Sequence, residues 1–454
     1  MRKHSLFIIF KVAVLFCSFL FVPWSGLTAA AETAQNRLLS LEDCLALARR
    51  FNPTLGGAVE KIRELTADYR AVRSQLFPQL ASLAYYARLE PNRLPPGGSP
   101  APLRVDLNGE EGFVGIAARQ LLFNGGRTYY DTKAARIGAQ AQGQEAVRTG
   151  DEVAFDVTRA FYRLVEAKEN LKVAREALER GQEFLCLTKT FFKTGKVTRL
   201  DFFRAESQVC EARQAKTVAQ NTVMLAREIL AKTIGLKQKG EVDIRGGLPC
   251  LFPSAPDVDV LWREALEHNP EIRKLNLQIQ QSEALVEAAK GALYPTLEVQ
   301  SDIGTRHQDT AGTKGEWLAG VFMEFPLFEG GLRRAQIEAA DSRQFQAIDR
   351  KHDRLNSLKI ALTTARRDLE NAKEGVTGTR QTVATNKEAY ASAGALYRNG
   401  EAIGLDVLQT QVDLTASLFS LIRYKAEYEI ARARIRQILG SPLPGANTDG
   451  GQNK

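Results

Sequence analysis

The stretch LLFNGGRTYYD at residues 121–131 and its counterpart PLFEGGLRRAQ at residues 326–336 decide the fold. In each stretch an apolar, strand-like run ends at a pair of glycines, and a long segment without proline follows. A Gly-Gly pair lets the backbone bend sharply between a strand and a helix, because glycine adopts left-handed conformations without steric cost. The two pairs lie 205 residues apart (330 minus 125), which indicates that the chain contains the same unit twice.

Further landmarks recur in the same order in both halves of the chain. Each half has an Asn-Pro pair, an aromatic-Pro pair, the Gly-Gly pair, a glycine five residues before a Leu-Asp pair, and a closing glycine. We therefore predict a first repeat at residues 32–235, a linker at residues 236–256, a second repeat at residues 257–440 and a flexible tail at residues 441–454. The first copy has an additional Pro- and Gly-rich stretch at residues 91–102, which is typical of an exposed loop.

Long helices dominate the pattern of both repeats. Residues 127–193 contain no proline, and apolar or small residues recur at alternating steps of four and three from Ala160 to Phe192. Residues 358–397 repeat this spacing. A sustained heptad stripe predicts helices that pack lengthwise on one another. At about 1.5 Å per residue the first helix is roughly 100 Å long, and a glycine turn then reverses the chain into a return helix.

Short alternating runs lie between a helix-ending proline and each Gly-Gly pair. In the second repeat Leu297, Val299 and Ile303 alternate with Glu298 and Asp302. This period of two predicts one β-hairpin per repeat, with one apolar face and one polar face. Strands of about ten residues in this style suit an outer-membrane barrel. Soluble hairpins with one buried face explain the strands equally well.

In the first repeat the same interpretation places Ala81, Leu83 and Tyr85 on the apolar face, opposite Ser82 and Tyr86. The return strands are predicted at residues 112–123 and 317–328. Each repeat begins with a helix, at residues 39–76 and 260–293, that is interrupted near its Asn-Pro pair.

The N-terminus has the features of a secretory signal peptide at residues 1–31. Arg2 and Lys3 give a basic start, residues 12–22 form an apolar core, and small residues precede Glu32, where we predict cleavage. A retained membrane anchor is the alternative, and no stop-transfer sequence follows to support it. The bulky residues before Cys17 exclude a lipoprotein cleavage site. The predicted mature chain has no apolar run long enough for a transmembrane helix.

Charge and motif content argue against nucleic-acid binding and catalysis. The net charge of +8 is mild for 454 residues and is not concentrated in a basic run, so we expect no nucleic-acid partner. There is no H-E-x-x-H or Walker motif, and no Lys-Ser/Thr follows the Gly-Gly pairs. His268, His307 and His352 lie in different predicted elements. We therefore predict no enzyme activity, no metal and no cofactor.

Four cysteines remain after residue 31: Cys44, Cys186, Cys210 and Cys250. They form no C-x-x-C pair and are too few for a disulfide framework. Cys186 and Cys210 lie nearly level across the predicted turn at Gly195, but each falls one position past its helix seam. A disulfide between them is left open.

The order of helix, β-hairpin, Gly-Gly, very long helix, glycine turn and return helix, written twice behind a signal peptide, resembles the outer-membrane efflux protein family, the TolC-like outer membrane factors. The resemblance covers residues 39–440 and implies an α+β membrane protein. In this family three protomers each give two β-hairpins to one 12-stranded barrel in the outer-membrane lipid. Their duplicated, antiparallel helical hairpins form a periplasmic α-barrel. Since four strands cannot close a barrel in lipid, a homotrimer agrees with the physical argument.

The resemblance also implies a gate at the helical tips. In the family an aspartate of the first tip pairs with a tyrosine and an arginine of the second, and Asp201 and Tyr397 match the first two. The arginine position is Ala402 here, so that link is absent, and Arg199 and Arg398 are the nearby arginines.

The family also places two aspartates one turn apart at the narrowest point of the tube. Asp406 matches the first, and the second is Gln409. Three copies of Asp406 would form a ring that attracts cations. Capping of a helix N-terminus is the alternative role for both Asp201 and Asp406, since each follows a glycine turn.

Docking in the family takes place at the tips, which implies a contact surface that includes Gly195, Leu200, Gly400 and Leu405. A plain helix-helix turn is the alternative role for these residues. The expected partners are a periplasmic adaptor (membrane fusion) protein and an inner-membrane transporter. We therefore predict an outer-membrane exit duct of a tripartite efflux pump or type I secretion system. The alternative is a periplasmic coiled-coil adaptor or scaffold without a pore.

Overall fold

The computed structural model describes residues 38–89, 109–236, 242–308 and 312–440. The predicted signal peptide, the extra loop at residues 91–102 and the predicted tail lie outside the described residues. The helices are α1 (Leu41–Phe51), α2 (Pro53–Ser74), α3 (Arg127–Lys193), α4 (Arg199–Ile234), α5 (Val258–His268), α6 (Pro270–Gly291), α7 (Leu332–Asn399) and α8 (Gly404–Leu439). The strands are β1 (Leu38–Leu39), β2 (Gln79–Leu89), β3 (Gly109–Phe123), β4 (Asp243–Ile244), β5 (Thr296–Gln308) and β6 (Gly312–Glu324).

Helix lengths in the two halves correspond closely. The short helices α1 and α5 have 11 residues each, and α2 and α6 have 22 each. The long helices α3 and α7 have 67 and 68 residues, and the return helices α4 and α8 have 36 each. At about 1.5 Å per residue α3 extends roughly 100 Å. The repeat boundaries themselves remain a prediction from the sequence.

Both Asn-Pro pairs join a short helix to the next helix and bind a distant return helix. Asn269 accepts hydrogen bonds from the backbone N–H groups of Glu271 at 2.8 Å and Ile272 at 3.1 Å, which caps α6. Its amide Nδ2 also donates to the carbonyl of Ile438 at 2.6 Å, at the end of α8. Asn52 repeats the arrangement at the start of α2 and donates to the carbonyl of Thr233 at 2.8 Å. The proline fits the first helical position, where no N–H is needed.

Substituting Asn269→Ala should lower the stability of the protein by about 2–3 kcal/mol. The change removes a helix cap and leaves a buried carbonyl without its donor, and these losses cost roughly 1 and 1–2 kcal/mol. Thermal unfolding of the purified protein in detergent measures the effect. The matched variant Asn269→Ser keeps a capping oxygen and loses the amide donor, so its midpoint should lie between the other two. An unchanged midpoint for Asn269→Ala would contradict this role.

Each long helix and its return helix form an antiparallel hairpin with a buried seam. We call α3 with α4 hairpin 1, and α7 with α8 hairpin 2. The seam predicted from the heptad spacing is largely buried, with Leu164 and Leu362 fully enclosed. The pattern weakens at its tip end, where Phe192 is 41% exposed. Helix α8 also packs against α3, so the two hairpins contact each other directly.

The four long strands form one antiparallel sheet in the order β2-β3-β5-β6, so the hairpins of the two repeats lie side by side. At the joint between β3 and α3, Gly125 has a φ of +67°. A Cβ at this position would lie 2.2 Å from the carbonyl oxygen of Gly291. Only glycine fits this turn, which explains the Gly-Gly pair that leads from the sheet into the helical hairpin.

Strand pairing reverses the face predicted for β2. Tyr85 pairs with Phe113, which pairs with Arg306, so Tyr85 and Leu83 share a face with charged residues of β5 and β6. The opposite face carries Leu80 and Tyr86 and continues into the apolar face of the other strands. Apolar residues occupy both faces of β2, so alternation alone could not determine which side is apolar.

Strand β6 also ends earlier than predicted. It stops at Glu324 and does not reach residue 328. Pro326 lacks a backbone N–H and cannot continue a hydrogen-bonded ladder, which accounts for the difference.

The linker between the repeats contacts both hairpins. Asp243, which belongs to strand β4 of the parallel β1–β4 pair, forms ion pairs with Lys168 and Arg227 of hairpin 1. Further along, the carbonyl of Pro253 accepts a hydrogen bond from the hydroxyl of Tyr428 in hairpin 2 at 2.6 Å. The linker is therefore held at several points against the helices.

Each of the four described cysteines is a free thiol. Cys186 and Cys210 are both exposed and form no disulfide with each other. Over the described ranges, we find no helix with the length and apolar character needed to cross a membrane.

Candidate functional site

The turns that end the two hairpins lie together, far from the sheet. Both long helices start at the Gly-Gly joints beside the sheet and run in the same direction, so the turns after Lys193 and Asn399 meet at the opposite end. Side chains from the two turns contact each other there, as the packing of Tyr397 shows. The structure thus brings the predicted gate residues to one end of the molecule.

Tyr397 of hairpin 2 is inserted into hairpin 1. Its side chain is only 3% exposed, and its ring lies 5.2 Å from that of Phe184 and 5.6 Å from that of Phe191. Its hydroxyl lies 3.3 Å from Oγ1 of Thr188, which is fully buried. Burial raises the pKa of Tyr397, the hydrogen bond with Thr188 lowers it, and the nearby charge of Asp201 raises it. Tyr397 is therefore a neutral hydrogen-bonding link between the hairpins.

Asp201 lies close to Tyr397 but is hydrogen-bonded elsewhere. Its carboxylate accepts from the hydroxyl of Thr198 at 2.7 Å and from the Thr198 N–H at 3.2 Å, and Thr198 in turn accepts from the Asp201 N–H. This reciprocal arrangement is a capping box. Both residues border Gly404, because a Cβ there would lie 3.6 Å from the ring of Tyr397 and 3.9 Å from Cβ of Asp201. Among the described residues Tyr397 bonds to Thr188, a partner that the sequence did not reveal.

Asp406 is exposed and less constrained than Asp201. Its carboxylate accepts a hydrogen bond from the N–H of Ile403 at 3.3 Å. Asp406 occupies the same position in α8 that Asp201 occupies in α4. The N-cap residue of α8 is Ile403, whereas the N-cap of α4 is Thr198. Ile403 has no side-chain oxygen, so the capping box is incomplete. The carboxylate of Asp406 therefore keeps most of its hydrogen-bonding capacity for solvent or ions.

Gln409 and Asp413 continue the exposed face of α8 that begins at Asp406. The three residues follow one another at steps of three and four, and Nε2 of Gln409 donates to Asp413 Oδ1 at 3.0 Å. Asp413 was not among the predicted gate residues, although its spacing from Asp406 could have indicated it. Gln409, which stands where the family has a second aspartate, is thus hydrogen-bonded to an aspartate one turn further along the helix.

The two nearby arginines do not pair with Asp201 in this chain. The guanidinium of Arg199 lies 5.1 Å from the centroid of the Phe203 ring. Arg398 is exposed and acts electrostatically on Tyr390. Ala402 carries no charge. Within one chain, the polar link between the hairpins at this level is the hydrogen bond of Tyr397 with Thr188.

The predicted docking residues lie at the surface of the tips. Gly195 and Gly400 both have positive φ angles, of +74° and +80°, and form the turns. Leu200 and Leu405 are 56% and 44% exposed. Further exposed apolar residues adjoin them, and these were missed from the sequence: Phe192, Phe203 and Ile403.

Substituting Tyr397→Phe should weaken the contact between the hairpins without disturbing the packing of the ring. Loss of one buried hydrogen bond costs about 1 kcal/mol, which for the gate expected from the sequence is roughly a fivefold change in the equilibrium between closed and open tips. We expect the resting conductance of the protein in planar bilayers to rise by this factor. Tyr390→Phe is the matched control, since Tyr390 lies on the same helix and is only half-buried. Equal conductance in Tyr397→Phe and the parent would contradict the link.

No cluster of three or more His, Cys, Asp or Glu side chains suited to a metal ion occurs within the described part of the chain. The arrangement at the tips can therefore bind and separate helices and present carboxylates to solvent.

The chain is similar to known proteins both in sequence and in fold. The profile of the family described as "Outer membrane efflux protein" matches residues 44–236 and 261–441. The chain is 23% identical to the toluene efflux pump outer membrane protein TtgC of Pseudomonas putida, over 86% of this chain and 81% of that protein. It is 26% identical to the fusaric acid resistance protein FusA of Burkholderia cepacia, over 66% of this chain but only 58% of FusA.

Among solved structures, a membrane protein from Pseudomonas aeruginosa superimposes with a TM-score of 0.76 at 20% identity, over 93% of this chain and 97% of that chain. Because the family profile matches most of both repeats, the chain belongs to the outer membrane efflux protein family.

Proposed function

We propose that three copies of this chain form an outer-membrane exit duct, with the sheet in the membrane and the helical hairpins in the periplasm. The duct passes substrates from an inner-membrane transporter to the outside, as part of a tripartite efflux pump or a type I secretion system. The observation that carries the proposal is a four-stranded sheet with two unpaired edges, joined directly to helices of roughly 100 Å.

The edges of the sheet require further copies. In one chain β2 and β6 each pair on one side only. Unpaired backbone groups are not tolerated in lipid, so other protomers must complete the barrel. Two copies would give eight strands, whose interior is filled by side chains, whereas three copies give 12 strands and leave a lumen.

The two faces of the sheet suit lipid on one side and water on the other. One face exposes large apolar side chains, among them Val114, Ile303 and Trp317, the last of which is 78% exposed. The other face carries ion pairs, between Arg119 and Glu298 at 2.5 Å and between Arg306 and Glu316 at 2.7 Å. We assign the apolar face to the membrane and the charged face to the lumen.

The tips are the proposed contact site for a periplasmic adaptor protein and, through it, the transporter. The exposed apolar side chains of Leu200 and Leu405, next to the glycine turns, support this role. Asp201, Tyr397, Asp406 and Gln409 are the proposed gate. Membership in a family of efflux proteins and the absence of a catalytic motif from the sequence support a transport protein without enzyme activity.

The adaptor alternative has less support. An adaptor without a pore needs no sheet with a continuous apolar face and open edges, and the family profile that matches both repeats is that of the efflux channel component.

Membrane fractionation and electrophoresis test the proposal. We expect the protein in the outer-membrane fraction, migrating as a trimer without heating and as a monomer after boiling. Soluble periplasmic protein without a heat-modifiable trimer would support the scaffold instead and contradict the duct.

A further inference from the structure

Two buried polar atoms without partners lie where α8 crosses α3. Gln411 of α8 is 2% exposed, and its Nε2 donates to the carbonyl of Ala177 in α3 at 3.1 Å. The Oε1 atom of the same side chain accepts no hydrogen bond from any described residue. The buried Nε of Arg180, also on α3, likewise has no described acceptor.

The side chain of Arg180 reaches the turn of α8 that carries Gln411. Nη2 of Arg180 lies 3.5 Å from Oγ1 of Thr415, and that hydroxyl donates to the backbone carbonyl of Gln411 at 2.8 Å. Gly181 lies beside the Gln411 side chain, since a Cβ built there would be in ordinary contact with Nε2 at 3.6 Å. Nη1 of Arg180 lies 3.8 Å from Glu176, so Nε is the part of the guanidinium that is buried and unused.

The unpaired atoms are complementary, since one is an acceptor and the other a donor. An unpaired buried polar group costs free energy comparable to a lost hydrogen bond, and native proteins retain few of them. They also lie on the helices that join hairpin 1 to hairpin 2. A shift of α8 along α3 would change which of these atoms are paired.

We propose that Gln411 and Arg180 form a two-position latch that biases the gate. In the arrangement described here, which we assign to the closed gate because Tyr397 packs into hairpin 1, the amide of Gln411 donates to the Ala177 carbonyl. When α8 shifts along α3, Oε1 of Gln411 accepts from Nε of Arg180. The latch gives the interface two discrete states, which a partner at the tips can bias. This inference rests on the proposed channel function.

Two substitutions should shift the gate in opposite directions. Glutamate at position 411 cannot donate to the Ala177 carbonyl, and it pairs with Arg180, so Gln411→Glu should raise the resting open probability about fivefold, the factor that one buried hydrogen bond supplies. Methionine at position 180 has a similar length but no hydrogen-bond donor. Arg180→Met should therefore leave the closed contact intact and lower the open probability by a similar factor.

Single-channel recording of the purified protein, with the double variant to close the cycle, makes the test. In the Gln411→Glu background, Arg180→Met removes the partner of the glutamate at position 411 and should return the open probability toward that of the parent. Ser417→Ala and Arg175→Met are matched controls, since the Ser417 hydroxyl bonds within its own helix and Arg175 is exposed on α3. Both controls should behave like the parent, and thermal midpoints identify any general loss of stability.

The latch is overturned if Gln411→Glu and Arg180→Met shift the open probability in the same direction, or if neither shifts it while the parent conducts. A parent protein that forms no pores would overturn the proposed duct, and the latch with it. The conductance of the parent thus separates failure of the two proposals.

Discussion

Deleting residues 295–328 should abolish membrane insertion of the protein. The deletion removes β5 and β6, which supply half of the four-stranded sheet and one of its two outer edges. The remaining β2–β3 hairpin could not close a barrel of any symmetric trimer with a lumen, and its backbone groups would face lipid unpaired. We expect no protein in the outer-membrane fraction and no conductance.

A deletion elsewhere separates this effect from general damage. Residues 91–102 occur only in the first repeat and are predicted to be an exposed loop, so their removal should leave insertion intact. A protein that lacks residues 295–328 and still forms conducting pores would refute the four-strand contribution of each protomer.

Substituting Asp406→Asn should remove the cation preference of the pore and its block by multivalent cations from the periplasmic side. Asp406 is exposed on α8, and its single hydrogen bond to the Ile403 N–H leaves its charge available. A unit charge about 8 Å from an ion contributes about 2 kcal/mol at an effective dielectric constant of about 20. Three such charges around a narrow mouth would enrich cations more than tenfold, and Asn removes all of them.

Reversal potentials in a salt gradient measure this selectivity. Asp406→Glu is the matched control, because it retains the charge and should retain the cation preference. If Asp406→Asn and the parent have the same selectivity and the same block, Asp406 serves only to cap α8, and the gate assignment fails.

Helix positions could be predicted well because their ends are marked in the sequence. The start of α3 at Arg127 follows the glycine pair, and its end at Lys193 precedes the turn at Gly195. Heptad spacing then identified the buried seam. The end of strand β6 was predicted at residue 328, but the strand stops at Glu324, because Pro326 cannot take part in a ladder.

The face of β2 and the partners at the tips could not be predicted from local pattern. Leu83 and Tyr86 point to opposite faces of β2, and only pairing with β3 and β5 shows which face is charged. The bond between Thr188 and Tyr397, like the contact of Gln411 with Ala177, joins residues far apart in the chain. Such contacts follow from the way in which the hairpins pack, which the spacing of apolar residues within one helix does not determine.

Planar bilayer recording on the purified, unboiled oligomer tests the central claim most directly. The account predicts stepwise conductance that is carried mainly by cations, from a species that runs as a trimer and loses activity when boiled to monomers. A protein that remains monomeric in detergent and produces no conductance steps would contradict the claim that this chain forms an outer-membrane duct.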